Sequence, residues 1–193
     1  MATQVEATTR VVDGVEYPPA GTYVLDVAHT RLGFAVRHMA VSKVRGGLNT
    51  FEGRLVIGEE PLESKVAVSI DATSVDTRDE ARDNHLRSND FFDVENHPRW
   101  SFESTAVRPS GDGAWEIDGD LTIRGVTRPV TLRAEYLGHA ADPWGGHRAV
   151  FTAAGTIDRE DWGLTWNLLL DGGGLVVSNQ IRIEIELEAV LQP

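Results

Sequence analysis

Ile181-Arg182-Ile183-Glu184-Ile185-Glu186-Leu187-Glu188 alternates without a break between apolar and charged residues. Successive side chains of a strand point to opposite faces, so this stretch reads as a β-strand with one apolar face and one face in water. The same alternation recurs upstream. Leu32, Phe34, Val36 and His38 share a face, against Arg31, Gly33, Ala35 and Arg37. Phe51, Gly53, Leu55 and Ile57 form a second run after Gly46-Gly47, and the odd spacing from Leu48 to Phe51 suggests a bulge. Val66, Val68 and Ile70 form a third, and Trp100 and Phe102 begin a fourth that reaches about Arg108. Trp115, Ile117, Gly119, Leu121 and Ile123 form the fifth; Val130, Leu132, Ala134 and Tyr136 the sixth; Arg148 to Ile157 the seventh. Pro109-Ser110-Gly111-Asp112-Gly113 and Asp142-Pro143-Trp144-Gly145-Gly146 supply turn chemistry between them.

Eight half-apolar strands with hairpin-length links must hide their edges, and closing on themselves does so completely. The fold class expected is therefore all-β, an extended eight-stranded antiparallel up-and-down barrel, although a two-sheet sandwich would give a similar pattern. One helix interrupts it. Thr77 and Glu80 have capping-box spacing, and Asp79 with Arg82 and Asp83 with Arg87 are favourably spaced pairs, which predicts a helix over about 78–88. A second helical turn is expected at 158–162, before Gly163. Residues 1–20, ending in Pro18-Pro19, read as a flexible lead, and 21–191 as the barrel domain.

Composition removes several functions. The 193 residues suffice for one domain with a sizeable core. A net charge of −12 argues against a nucleic-acid partner and against electrostatic attraction to anionic membranes. The absence of cysteine excludes disulfides and thiolate chemistry. No apolar run marks an export signal or a membrane span, so the chain is expected in the cytoplasm. The histidines, at 29, 38, 85, 97, 139 and 147, show no HExxH spacing. Calcium loop, phosphate loop, dinucleotide fingerprint and nucleophile elbow are all missing, and Gly172-Gly173-Gly174 reads as a turn. No metal, cofactor or catalytic residue is expected on these grounds.

What remains is the interior. A barrel of this size is either filled by its own side chains or holds one small ligand. Gly53, Gly119, Ala134, Ala153 and Gly155 are small inward residues. They either leave room or relieve strain while aromatic rings fill the space. An open tube would be costly if empty, so the hollow reading predicts a resident apolar ligand. Its candidate lining begins with Phe34, Val36, His38, Phe51, Leu55, Val68 and Ile70. It continues with Leu86, Phe91, Trp100, Phe102, Leu121, Leu132, Phe151, Trp166 and Ile183. His29, His85 and Arg87 are candidates for contact with a polar head group. The plainer role for the helix is to be tied to the rim by ion pairs, with Leu86, Phe91 and Phe92 as its anchor.

Four stretches carry a family resemblance. They are Asp26–Phe34 followed by His38, Asp83–Asp93 (Asp-Asn-His-Leu-Arg-Ser-Asn-Asp-Phe-Phe-Asp), Gly119–Val130, and Asp158-Arg159-Glu160-Asp161-Trp162-Gly163. Together and in this order, they resemble the YceI-like family over about 21–190. The resemblance implies a lipocalin-like barrel that binds polyisoprenoids or other long-chain amphiphiles in its pore, commonly as a dimer. Many members are periplasmic. A non-catalytic carrier of a polyisoprenoid, quinone-like or fatty amphiphile is then the leading expectation. An enzyme using His29, His38 or His85 as acid or base, and a scaffold binding a protein partner through its acidic outer face, are the alternatives.

Overall fold

The structure, a computed structural model, describes residues 10–39, 41–143, 146–169 and 174–193. The strands are β1 (Arg10–Val12), β2 (Val15–Tyr17), β3 (Gly21–Leu25), β4 (Arg31–His38), β5 (Ser42–Leu48), β6 (Phe51–Ile57), β7 (Lys65–Asp71) and β8 (Val75–Asp76). The helix α1 (Glu80–Arg87) follows, then β9 (Arg99–Gly111), β10 (Ala114–Ile123), β11 (Val126–Ala141), β12 (His147–Asp158) and β13 (Val177–Leu191).

The opening stretch falls in β13 and explains why the sheet closes. β12 pairs with both β11 and β13, and β13 pairs in turn with β3 and β4. The register sets Ile181 beside Val36 and Ile157, Ile183 beside Phe34 and Gly155, and Ile185 beside Leu32 and Ala153. One face of β13 thus meets apolar partners on both sides, while Arg182, Glu184 and Glu186 face out. A one-residue slip would bury the charges, so the pattern fixes the register. The first barrel strand is broken into β3 and β4, and the second into β5 and β6. Counted this way, eight antiparallel strands close the wall. Asp13-Gly14 and Arg124-Gly125 make tight hairpins with both residues at positive φ, the geometry that matches strand twist.

Several elements differ from the sequence expectations. The anticipated bulge near Leu48–Phe51 is a complete break at Asn49-Thr50, whose amides turn to Ser74. The helix is capped by Asp79, which accepts from the Arg82 amide at 3.0 Å. Thr77 instead donates to Asp83, so the capping pair lies two residues later than its spacing suggests. The turn at 158–162 is a 3-10 turn over Arg159–Trp162. Residues 10–20 pack as part of the fold: Val15 and Tyr17 are buried, and Trp115 donates to Glu16 O at 3.0 Å.

These elements give the barrel two unlike ends. Asp71 pairs with Arg99, so the excursion through β8, α1 and 88–98 stays at one end, called upper here. The β1–β2 hairpin closes the lower end. Tyr17 lies 4.7 Å from the Trp115 ring, and its hydroxyl bonds Ser64.

Candidate functional site

The barrel encloses a cavity of about 270 Å³. Most of the sequence-predicted lining faces it: Phe34, Val36, Leu55, Val68, Ile70, Leu86 and Phe91, together with Trp100, Phe102, Leu121, Leu132, Phe151 and Ile183. Three candidates lie elsewhere. His38 ends β4, paired with Val177 and Ser42, and does not line the cavity. Phe51 is buried in the core where β6 begins, off the cavity. Trp166 packs outside it, 4.6 Å from the His85 ring and 5.2 Å from Phe91.

The glycines keep the space open by a route the sequence did not show. A Cβ on Gly119 would stand 2.5 Å from the Phe102 ring, and one on Gly46 2.5 Å from Phe34. The rings therefore lie against the wall where the glycines leave room for them, and the centre stays clear. Gly53 and Gly155 likewise receive Leu25 and Leu132.

The lining is apolar to an unusual degree. Among the described residues it includes no carboxylate and no histidine; Arg159 is the charged member. Arg159 is buried, and its guanidinium donates to the carbonyls of Ser178, Leu164 and Trp166 and to Asn179 Oδ1. Burial lowers its pKa, while Glu160 and Asp158 oppose that shift. It ties the 159–166 segment to β13. Tyr17, at the lower end, is pushed up to about 12 by burial and stays protonated at neutral pH. Trp162 donates to Leu121 O at 3.0 Å, whereas buried Trp100 Nε1 has no acceptor among the described residues.

The head-group candidates separate. Arg87 donates to Thr73 O, Val75 O and Asn84 Oδ1, so its guanidinium locks α1 to the β7–β8 region. His29 is exposed and bonds Asp26 at 3.0 Å on the bend between β3 and β4. His85 stands over the upper end, bonded to Asp90 at 3.0 Å and edge-on to the cavity-lining Phe91. β4, about 26 Å long at 3.3 Å per residue, separates His29 from His38, so these two cannot share one reacting group.

A sequence profile of the YceI-like domain matches residues 23–189. The chain belongs to the YceI-like family. A UPF0312 protein of Pseudomonas aeruginosa is 43% identical over 141 residues, 72% of this chain and 73% of that protein. BcnA of Burkholderia cenocepacia superposes with a TM-score of 0.74 at 21% identity, over 85% of this chain and 98% of that one. A structure described as a polyisoprenoid binding domain from Saccharophagus degradans superposes with a TM-score of 0.63 at 15% identity, over 90% and 99%. At such identities these likenesses speak for the barrel fold.

This YceI-like barrel also contains lining residues that sequence reasoning missed. Tyr17 and Pro18 sat in the supposed lead, and Val177 lies on the part of β13 before clean alternation begins. Arg159 and Trp162 belonged to a recognised element, but nothing in their spacing showed that they face inward. Asp26, His29 and Glu188 bring three potential ligand atoms within 4.8 Å of one another. Arg148 already bonds Asp26, Glu188 and Asp142, so a guanidinium already takes up the carboxylate oxygens of this cluster and offsets part of its charge. The Arg148 guanidinium holds the Asp26 carboxyl down at about 2.

Proposed function

We propose that the protein binds one long apolar ligand, a polyisoprenoid, quinone-like or fatty amphiphile, inside the barrel and carries or stores it without chemical change. The observation that carries this reading is the barrel cavity whose lining, among the described residues, offers no carboxylate or histidine. Leaving about 270 Å³ empty would cost on the order of 6 kcal/mol. That is comparable to the whole stability of a typical domain, roughly 5–15 kcal/mol. A buried chain instead contributes about 0.8 kcal/mol per methylene. The fold shared with the domain described as polyisoprenoid binding supports the same ligand class. His85, beside Leu86 and Phe91, is the proposed neighbour of a polar head group; Arg87 and His29 are engaged elsewhere.

Organic extraction of purified protein followed by mass spectrometry tests this, together with uptake of added polyprenol. A co-purifying lipid, or stoichiometric uptake with the ligand recovered intact, is expected. No lipid and no uptake would reject the reading, and recovery of a chemically altered ligand would favour an enzyme.

A further inference from the structure

We propose that the upper tip, where Met39 and Val41 lie beside Leu168, Leu169 and Leu175, docks on a membrane surface carrying anionic lipids. The first observation is apolar exposure. Val41 is 91% exposed and Leu169 81%, with Met39, Leu168 and Leu175 also exposed. Single exposed apolar residues are ordinary, but these five belong to one connected structure. The Met39 amide donates to Val176 O, the Val176 amide to Leu168 O, and Leu169 bridges Leu175.

The second observation is charge. From Val27 to Phe51 the sequence contains Arg31, Arg37, Lys43 and Arg45 and no Asp or Glu, in a chain whose net charge is −12. Arg37 faces Lys43 directly across the hairpin, a like-charge pairing that costs stability. Arg45 and Arg182 flank Ala35 on the same outer face, although Arg182 also pairs with Glu184 at 3.2 Å. Among the described residues, Arg31, Arg37, Lys43 and Arg45 make no ion pair. Beside the tip, Arg31, Lys43, Arg45, Arg78 and Arg82 line an outer groove in which Asp76 is the one acid.

Exposed apolar side chains flanked by cations fit a bilayer interface, where the former enter the headgroup layer and the latter meet phosphates. The net negative charge averages over this separation and hides it. The position has a use as well. His38 pairs with Val177, and Val177 and Val36 line the cavity, so a docked tip brings the upper end of the cavity to the lipid. The docking stands on its own; only its use for ligand transfer rests on the proposed binding function.

Cosedimentation with vesicles of phosphatidylcholine, alone and mixed with phosphatidylglycerol, tests docking independently of bound ligand. Wild-type protein is expected to pellet with the mixed vesicles and to release them at high salt. Val41→Asp combined with Leu169→Asp should lower vesicle affinity more than 10-fold. Lys43→Glu and Arg45→Glu should each lower it by about 5-fold or more. Leu62→Asp, 75% exposed beyond the end of β6, should bind as wild type does. All five sites are exposed, so unchanged melting curves will show that each variant is folded. Failure to bind mixed vesicles, or binding indifferent to the tip substitutions, overturns the proposal. Sedimentation velocity that finds a dimer dissolved by Val41→Asp, without vesicle binding, assigns the face to a second copy and also overturns it. Ligand extraction from the same variants separates this failure from that of the binding function.

Discussion

The two ends of the barrel are closed in different ways. The lower end is sealed by aromatic packing: buried Tyr17 lies against buried Trp115, and Trp115 is hydrogen-bonded to Glu16 O. Arg10 adds a cation over the Tyr17 ring, 4.9 Å from its centre, and pairs with Glu59. The upper end is covered by separate pieces, α1 with the 88–98 stretch and the 159–166 segment, which meet where Trp166 lies edge-on to His85 and tilted against Phe91. A seam between pieces opens at lower cost than a buried plug, so a guest should enter and leave at the top.

The largest expected effect is at the lower end. Trp115→Ala should cost about 3–5 kcal/mol, measured by urea denaturation, because it empties a buried aromatic site and unseats the β1–β2 hairpin. Next comes the space between the ends. Ala153→Phe should displace the ligand and lower its extracted amount several-fold, while costing about 1–3 kcal/mol through overpacking. Unchanged ligand content would show that the guest lies elsewhere. Arg87→Ala should cost about 1–2 kcal/mol, with faster amide exchange confined to α1.

A smaller effect appears on acidification. Asp26 is held at about 2, against an ordinary value of 3.8. The unfolded chain therefore takes up its proton first as pH falls. The stabilisation from this group is complete above about pH 4 and is lost as pH drops through about 2. Asp26→Asn should flatten that part of the stability profile in acid titrations followed by circular dichroism. The smallest change in stability, within about 1 kcal/mol, is expected for Trp166→Ala, which should nonetheless speed the exit of bound ligand by stopped-flow fluorescence. Faster exit from Trp115→Ala than from Trp166→Ala would reverse the assignment of the two ends.

The sequence showed the wall more fully than what covers it. Strict alternation in 181–188 and 115–123 made strand type and inward face readable, because period-two burial leaves a direct mark on composition. Ser42–Leu48 escaped notice: its outward residues are basic, and Gly46 is small because the Phe34 ring occupies its side-chain space. The β1–β2 hairpin was hidden in a polar segment where only Val15 and Tyr17 turn inward. The site divided along the same line. Lining residues on regular strands were legible, whereas His38, Phe51 and Trp166 stand at strand ends or on the cover, where alternation says nothing about direction. Net charge is silent on distribution: a sum of −12 over the chain does not show that the 27–51 segment contains bases and no acids.

The central claim is that the barrel surrounds unfilled apolar space held open for a guest. A crystal structure of protein purified without delipidation tests it most directly. The expected result is continuous, tube-shaped density, not attributable to the chain, between Trp115 below and Phe91 above. An interior filled by the chain's own side chains, with Phe34 and Phe102 swung off the wall into the centre, would contradict it.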